Sequence, residues 1–213
     1  MNSLVILCNG QFPTEPYPLY LLESAEGVVC CDGALEQWLA HNPAAQPLAV
    51  VGDLDSLPQA LQEQFASCIV HVTEQDYNDL TKAMRWVLQE HPEVSEIVIL
   101  GATGLREDHT IGNLGLLMEY TRLFELGGRN VSMVSDYGTA FAITGSCDLH
   151  LGEGRRFSFF SADNSLKVTS EGLQWPLDDV VFDAWWKATL NRTTEPIVSL
   201  HFNHPAPALV MVD

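Results

Sequence analysis

Two aspartates one residue apart form the motif best suited to chemistry in this chain of 213 residues. Asp53 and Asp55 follow the apolar run at residues 48–51 and the glycine that ends it, so both carboxylates leave a predicted strand on a tight turn. Hard cations such as Mg2+ bind carboxylate oxygens directly or through retained waters. The spacing therefore predicts a magnesium site with Asp53 and Asp55 as its principal ligands.

Three further segments place polar residues just after a predicted strand. Asp32 and Gly33 follow the second strand, Asp76 and Asp79 precede a helical pattern, and a glycine-rich segment occupies residues 101–109. Because ligands bind beyond the carboxyl ends of parallel strands, we expect these segments to meet at one edge of a sheet. Crowded carboxylates repel one another unless a cation lies among them. We therefore expect Asp32 and Asp79 to complete the metal site, directly or through water.

The glycine-rich segment at residues 101–109 is suited to phosphate binding, although it lacks the spacing of the dinucleotide fingerprint and of the common phosphate-binding loop. Its small residues let backbone N–H groups approach phosphate oxygens, and Arg106 can clamp a phosphate with two parallel hydrogen bonds. Lys82 adds a second cation unless it lies on a solvated helix face. Aspartates after strands are also typical of helix caps and turns, and Ser56 and Asp79 occupy expected N-cap positions.

Apolar runs alternate with helical patterns as far as about residue 137, which is typical of a parallel sheet with crossover helices. The predicted strands are residues 4–8, 28–31, 48–51, 68–72, 97–100 and 131–134. The predicted helices are residues 34–41, 58–66, 80–90 and 110–126. Short β-like runs follow, at residues 156–160, 197–202 and 208–212. We therefore predict an α/β domain over residues 1–138 and an antiparallel β domain over residues 139–213.

Composition and charge exclude several classes of protein. Hydrophobic residues make up 46% of the chain, and the formal net charge of −18 opposes binding to nucleic acid or to an anionic membrane. The five cysteines lack metal-ligand spacing, so we expect buried, reduced thiols. We identify no secretory signal and no apolar segment long enough to span a bilayer, and we expect a cytoplasmic protein.

Four segments, read in order, resemble the motif series of the thiamine pyrophosphokinase family. They are Cys-Asp-Gly at residues 31–33, Gly-Asp-Leu-Asp-Ser at 52–56, Asp-Tyr-Asn-Asp-Leu-Thr-Lys at 76–82 and Gly-Ala-Thr-Gly-Leu-Arg-Glu-Asp-His at 101–109. Later in the chain, Gly-Leu-Gln-Trp at residues 172–175 resembles the family's Gly-Leu-x-Trp segment. Asn191 falls where the family has Ser-Asn, but Leu190 replaces the serine.

The resemblance implies a Rossmann-like α/β nucleotide-binding domain joined to a β-sandwich, in a homodimer that holds thiamine between its subunits. The implied reaction moves a diphosphate from ATP to the hydroxyl of thiamine, with Mg2+ as cofactor, and gives thiamine diphosphate and AMP. Asp53, Asp55 and Asp79 are the implied catalytic and metal-binding carboxylates, and Arg106 is the implied catalytic cation. The residues assigned to substrate or nucleotide are Asp32, Gly33, Ser56, Asp76, Lys82, Gly101, Thr103, Gly104, Asp108, His109, Trp175 and Asn191.

Several alternatives remain open at the level of sequence. Trp175 is either a stacking surface for the cationic thiazolium of thiamine or part of a core, and Trp185 and Trp186 are assigned to packing. The proton of the attacking hydroxyl can pass to Asp79 or to Asp53. Two other functions compete: diphosphate transfer to another hydroxymethyl heterocycle, such as a pterin, and a noncatalytic sensor of nucleotide or thiamine.

Overall fold

The computed structural model describes residues 2–213, which divide into two compact units. Unit 1 comprises the described residues up to 113 together with residues 127–136, and unit 2 comprises residues 114–126 and 137–213. The predicted domain boundary at residue 138 stays a prediction. Among the described residues, no helix combines the length and the hydropathy needed to cross a bilayer.

Unit 1 contains a sheet of parallel strands in the order β6-β5-β1-β2-β3-β4. The strands are β1 Ser3–Leu7, β2 Gly27–Cys31, β3 Ala49–Gly52, β4 Ile69–His71, β5 Glu96–Leu100 and β6 Asn130–Ser135. From β1 the chain adds β2, β3 and β4 on one side, and then β5 and β6 on the other. The topological switch point therefore lies between β1 and β5, where α/β sheets open a crevice for ligands.

Continuous apolar sequence explains why these segments form central strands. In β1, β2 and β5 every position after the first is buried, and all of β3 is buried. Sheets covered on both faces have this pattern because neither face meets water. All six strands predicted for this sheet are confirmed, with ends that differ by at most one residue.

The described residues form five α-helices, one after each of strands β1 to β5: α1 Pro16–Ser24, α2 Ala34–His41, α3 Gln59–Gln64, α4 Asp79–Glu90 and α5 Glu107–Leu123. A short 3-10 helix at Ala66–Cys68 precedes β4. The sequence analysis predicts no helix at α1, whose first turn contains Pro16 and Pro18. Proline is tolerated there because the first N–H groups of a helix have no partner within the helix.

The helix caps differ from those predicted. Asn78, not Asp79, caps α4, and its side chain accepts a hydrogen bond from the backbone N–H of Thr81 at 3.1 Å. Pro58, not Ser56, occupies the N-cap position of α3, with no side-chain cap. Both predicted caps are therefore wrong, which leaves the side chains of Asp79 and Ser56 available for other contacts.

Unit 2 is built from antiparallel strands. They are β7 Gly138–Ile143, β8 Cys147–His150, β9 Arg156–Ser161, β10 Lys167–Glu171, β11 Val180–Val181, β12 Asn191–Arg192, β13 Ile197–Phe202 and β14 Ala208–Val212. One group has the order β12-β9-β14-β7, and the other has the order β11-β10-β13-β8. Residues from both groups share one core, which includes Phe157, Phe159, Val168, Leu200 and Val210. This shared core confirms the predicted β-sandwich.

The cysteines are free thiols, as predicted, but they are not all buried. Cys8, Cys30 and Cys31 are buried in the first two strands or just beyond them, whereas Cys68 and Cys147 are only half-buried. Burial raises the pKa of the Cys30 thiol, so this side chain stays neutral within the core.

Candidate active site at the carboxyl edge of the parallel sheet

Asp32 follows β2 in a left-handed backbone conformation, with φ of 43°, and is only 3% exposed. Its Oδ2 atom accepts a hydrogen bond from the backbone N–H of Ser56 at 3.0 Å. Its Oδ1 atom is buried and has no hydrogen-bond partner. Burial raises the pKa of Asp32, the nearby charge of Asp79 reinforces the rise, and the Ser56 hydrogen bond opposes it. An oxygen buried without a donor is suited to a cation.

Asp53 and Asp55 lie on the turn after β3. Leu54 between them has a left-handed backbone conformation, with φ of 67°. Each of Asp32, Asp53 and Asp55 offers an oxygen atom, and the three atoms lie within 4.8 Å of one another. The backbone N–H of Ser56 contacts Asp32, and its hydroxyl donates to Asp55 at 2.9 Å. Three carboxylates this close match the oxygen ligands that divalent cations such as Mg2+ and Ca2+ prefer.

Gly52 allows the close approach of two aspartates. A Cβ atom at this position would lie 3.0 Å from Cβ of Asp32 and 3.3 Å from Cγ of Asp79. Asp79 begins α4, and its Oδ1 atom lies 3.1 Å from Nζ of Lys82. Burial raises the pKa of Asp79, although the ion pair with Lys82 opposes the rise. Asp79 lies outside the three-carboxylate cluster, and its role as a metal ligand stays a prediction.

Lys82 is buried, with 4% of its surface exposed, so the alternative of a solvated helix face is wrong. A buried ammonium group requires a partner, because leaving it unpaired in the interior costs about 3–5 kcal/mol. Asp79 provides that partner. Lys82 is therefore a fixed cation, held one helical turn behind the first residue of α4.

The loop between β4 and α4 contributes a residue that sequence reasoning missed. Gln75 donates a hydrogen bond from Nε2 to Oδ2 of Asp53 at 2.8 Å, and this contact lowers the pKa of Asp53. Asp76, the residue predicted in this loop, is exposed. The position of Gln75 next to Asp76 was the available signal, but an uncharged side chain did not suggest a metal site.

The loop between β5 and α5 presents glycines and an exposed ion pair. Gly101 has φ of 64°, and a Cβ there would lie 2.5 Å from the carbonyl oxygen of Cys8, so only glycine fits. Arg106 and Asp108 form two parallel hydrogen bonds, of 3.1 and 2.6 Å, which lower the pKa of Asp108 to about 2. Asp108 also accepts a hydrogen bond from the backbone N–H of His109 at 2.9 Å. The guanidinium is thus oriented, yet it remains open to solvent.

Two family models match most of this chain. The model described as "Thiamin pyrophosphokinase, catalytic domain" matches residues 19–125, and "Thiamin pyrophosphokinase, substrate-binding domain" matches residues 138–206. The chain belongs to the thiamine pyrophosphokinase family. The resemblance in the sequence motifs is thereby confirmed. Members of this family are named as enzymes.

Curated relatives carry the same family name. Thiamine pyrophosphokinase 1 of Oryza sativa subsp. japonica is 24% identical over 202 residues, covering 82% of this chain and 74% of that protein. Thiamin pyrophosphokinase 1 of Caenorhabditis elegans is 31% identical over 127 residues, covering 55% of this chain and 52% of that protein. The match thus spans about half the length of the Caenorhabditis elegans protein.

Solved structures of the family have the same fold. Thiamine pyrophosphokinase from Bacillus subtilis superposes with a TM-score of 0.77 at 18% identity, covering 98% of each chain. The yeast thiamin pyrophosphokinase superposes with a TM-score of 0.80 at 15% identity, covering all of this chain and 86% of the other. The predicted combination of a parallel α/β sheet and an antiparallel β region is therefore confirmed.

In unit 2, the family's Gly-Leu-x-Trp segment ends at a tryptophan that is fixed by Asn191. The backbone N–H of Trp175 donates to Oδ1 of Asn191 at 3.2 Å, and Nδ2 of Asn191 donates to the carbonyl oxygen of Trp175 at 2.7 Å. Asn191 is buried, whereas Trp175 is 58% exposed. Trp175 is therefore not a core residue, and its indole presents an aromatic surface. Leu190, which replaces the family's serine, is 70% exposed with φ of 55°.

Trp185 and Trp186, which the sequence analysis assigns to packing, are 60% and 74% exposed. That assignment is wrong. The sequence around them contains charged and small residues rather than an alternating apolar pattern, and this composition was the signal against burial in a strand.

The loop from Cys8 to Glu15, between β1 and α1, is a part of the site edge that sequence reasoning missed. We refer to it as the β1–α1 loop. Gly10 and Gln11 donate backbone hydrogen bonds to the carbonyl oxygens of Gly101 and Thr103, at 2.7 and 2.9 Å. The loop therefore lies at the switch point, against the glycine-rich segment. Its Asn-Gly pair follows a strand just as Asp32 and Gly33 do, which was a usable signal.

Proposed function

We propose that this chain transfers a diphosphate group from ATP to the hydroxyl of thiamine, producing thiamine diphosphate and AMP. The family membership supports this reaction. The observation that carries the proposal is the cluster of Asp32, Asp53 and Asp55 after strands β2 and β3, with a buried carboxylate oxygen that has no donor. An acidic protein needs such a cation site to bind a triphosphate, because its own charge of −18 repels the ligand.

Mg2+ is the proposed cofactor, and the donor set fits it. Asp53 and Asp55 would hold the ion with Asp32, and Asp79 would contact it through water. When bound, the ion would neutralise charge on the phosphates and on the transferring group. The preference of Mg2+ for oxygen ligands, together with the unpartnered Oδ1 atom of Asp32, supports this assignment.

The proposed phosphate contacts come from two loops and one helix. Arg106 would clamp the phosphates once they replace or join Asp108 as its partner, and Lys82 would add a fixed positive charge near Asp79. The backbone around Gly101, Thr103 and Gly104 would approach phosphate oxygens closely. Ser56, Gly33, Asp76 and His109 are proposed to line the same nucleotide site.

The proposed transfer is a displacement at the β-phosphorus of ATP. The hydroxyl oxygen of thiamine attacks the β-phosphorus, the bond from that phosphorus to the bridging oxygen of the α-phosphate breaks, and AMP leaves. Of the two candidate bases, we propose Asp79, because burial raises its pKa whereas the Gln75 hydrogen bond lowers the pKa of Asp53. The carboxylate with the higher pKa accepts the hydroxyl proton more readily.

Thiamine is the proposed acceptor, and Trp175 is its proposed stacking surface. The thiazolium ring is cationic, so the exposed face of an indole attracts it. Asn191 would hold the backbone of Trp175 in place through its two hydrogen bonds. We further propose a homodimer with thiamine between the subunits, and a cytoplasmic location; nucleic acid and membranes are not proposed partners.

The test of this function is product analysis with purified protein, ATP, Mg2+ and thiamine. AMP and thiamine diphosphate, formed in equal amounts and only when thiamine is present, would support the proposal. Diphosphate transfer to a hydroxymethyl pterin but not to thiamine would indicate the competing transferase. ADP would instead indicate a simple kinase, and ligand binding without turnover would indicate a sensor. Any of these three results would contradict the proposed reaction.

A further inference from the structure

The β1–α1 loop contacts two loops that carry sequence motifs, the loop after β2 at Gly33 and the glycine-rich segment at Gly104, which we call the two motif loops. Nδ2 of Asn9 lies 2.6 Å from the position that a Cβ atom would take at Gly33, beside Asp32. Cβ of Gln11 lies 2.7 Å from the corresponding position at Gly104. The β1–α1 loop therefore contacts the loop that carries Asp32 with one residue and the glycine-rich segment with another.

The first half of this loop is held within the site. Gln37 of α2 donates a hydrogen bond from Nε2 to Oδ1 of Asn9 at 2.6 Å and approaches the carbonyl oxygen of Gly10 at 3.3 Å. Gly10 and Gln11 are bonded to the backbone of the glycine-rich segment. These contacts fix residues 9–11, but they leave the chain beyond Gln11 to be held from elsewhere.

Asp136 holds the second half. It follows β6 directly, and its carboxylate accepts the backbone N–H of Thr14 at 3.0 and 3.2 Å, one contact for each oxygen. It also accepts the hydroxyl of Thr14 at 2.6 Å and the backbone N–H of Glu15 at 3.1 Å. One side chain, 121 residues along the chain from Glu15, thus binds both residues that precede α1.

These contacts have the chemistry of a helix cap supplied by a distant strand. Glu15 is the N-cap residue of α1 and makes no side-chain cap of its own, and Pro16 has no N–H group. A carboxylate at a helix N-terminus is favoured by the unpaired N–H groups and the helix dipole. Partial burial of Asp136 opposes ionisation, but the hydrogen bonds from Thr14 and Glu15 outweigh it and lower the pKa of this carboxyl.

We propose that Asp136 is a positioning residue for nucleotide binding. By holding the end of the β1–α1 loop, it keeps Asn9 and Gln11 against the two motif loops between which the triphosphate would bind. This inference rests on the proposed function, because it assigns a role in that same site. Asp136 itself need not contact the substrate.

The test replaces Asp136→Ala and measures turnover and amide exchange in the full chain. We expect KM for ATP to rise about tenfold, the scale expected when charge-assisted hydrogen bonds are lost, while kcat changes less than about threefold. NMR-detected exchange of the Gly10 and Gln11 amide protons should become at least about tenfold faster, because both hydrogen bonds to the glycine-rich segment weaken. A loss of overall stability alone would not raise KM selectively.

Milder variants keep the test valid if Asp136→Ala folds poorly. Thr14→Val removes only the hydroxyl donor and should show a smaller rise in KM, whereas Thr14→Ser retains that donor and should behave as the unmodified protein. The matched control is Asn42→Ala, which removes another side-chain contact to a loop backbone, the bond from the N–H of Ala44 at 3.1 Å. It should leave KM and the exchange of Gly10 and Gln11 unchanged.

The outcomes separate this inference from the proposed function. Unchanged KM and unchanged amide exchange in Asp136→Ala would overturn the positioning role while leaving the transferase reaction intact. If the unmodified protein transfers no diphosphate to thiamine, the proposed function fails. The role of Asp136 in holding the loop is then still decided by the exchange rates and by a calorimetric Kd for ATP, in which Asp136→Ala should bind about tenfold more weakly.

Discussion

The two cations of the candidate site lie in opposite surroundings. The side chain of Lys82 is 3% exposed and pairs with Asp79, whereas those of Arg106 and Asp108 are each 64% exposed. Folding fixes the buried pair before any ligand arrives, whereas Arg106 is oriented only by another exposed side chain, which holds it less firmly. We therefore expect changes at Lys82 to affect both folding and activity, and changes at Arg106 to affect mainly ligand affinity.

The largest expected effect is the loss of turnover in Asp55→Asn, which tests whether an exposed side chain can be essential for activity without contributing to stability. Asp55 is exposed, and Asp55→Asn keeps an oxygen that can accept from the Ser56 hydroxyl, so we expect a melting temperature within about 2 °C of the unmodified protein. Metal-dependent turnover should nevertheless fall by at least about 100-fold, because a neutral amide binds a divalent ion weakly. Steady-state turnover at varied Mg2+ concentration, with a thermal melt alongside, provides the measurement.

A matched control for Asp55→Asn is Glu90→Gln, which also removes one exposed carboxylate from unit 1. Glu90 ends α4, at the opposite end of the helix from Asp79. It should retain full turnover and its ordinary response to Mg2+. Near-normal activity in Asp55→Asn would contradict the metal assignment and leave the carboxylate cluster without a role.

The next largest effect is expected when the buried Lys82–Asp79 ion pair is broken. Lys82→Met fills a similar volume but leaves Asp79 without its cation, and we expect a loss of about 2 kcal/mol in the free energy of unfolding, less than for a fully buried pair because the Asp79 side chain is 31% exposed. Turnover should fall as well. Urea denaturation measures the first effect, and product formation measures the second.

The double variant Asp79→Asn, Lys82→Met completes a mutant cycle. It should recover most of the lost stability, because neither charge is then left unpaired, but it should not recover activity. Recovery of both properties would show that the pair has only a structural role. A double variant no more stable than Lys82→Met would show that the Lys82–Asp79 contact is energetically unimportant.

Local sequence predicted the part of the site that depends on strand ends. Continuous apolar runs identify the parallel strands, and the rule that their carboxyl ends converge predicts that Asp32 lies with Asp53 and Asp55, as the structure shows. The reason is physical: a strand buried on both faces must be apolar throughout, so its end is marked by the first polar residues.

Contacts between distant segments could not be predicted in this way. The burial of Lys82 depends on α4 packing against β2 and β3, and the hold of Asp136 on Thr14 joins residues 122 apart through backbone N–H groups. Every residue except proline has a backbone N–H group, so the residue types do not show which of these groups will bind Asp136. The same limit applies to α1, because the N–H group of its N-cap residue Glu15 donates to Asp136, which lies 121 residues further along the chain.

Substitution of Arg106, the exposed cation, should weaken ATP binding without the loss of stability expected for Lys82→Met. Arg106→Lys keeps the charge but loses the planar fork, so KM for ATP should rise about tenfold. Stability should change by less than about 0.5 kcal/mol, because exposed ion pairs contribute little. ATP titrations and urea denaturation of the same preparations give both values. A stability loss as large as that of Lys82→Met would contradict the contrast between the two cations.

The smallest expected effect concerns Asp32, whose burial has a cost in the absence of a cation. Burial raises its pKa in the folded state, so the ionised form opposes folding, and this penalty grows as the pH rises from the unfolded-state pKa of 3.8 through the raised folded-state pKa. Asp32→Asn removes the charge. Without metal and near pH 7, we therefore expect this variant to be more stable by about 1 kcal/mol, the lower end of the cost of an unsatisfied buried polar group.

Two further conditions distinguish this penalty from a general effect of the amide. The advantage of Asp32→Asn should shrink as the pH is lowered toward 4, about the ordinary pKa of an aspartate, because Asp32 is then increasingly protonated in the unmodified protein. Mg2+ should raise the melting temperature of the unmodified protein more than that of Asp32→Asn, since only the former gains a ligand for its charged oxygen. Equal stability of the two proteins near pH 7 without metal would mean that the buried oxygen of Asp32 does not destabilise the fold. Buried Asp32 would then be no better prepared for a cation than exposed Asp55.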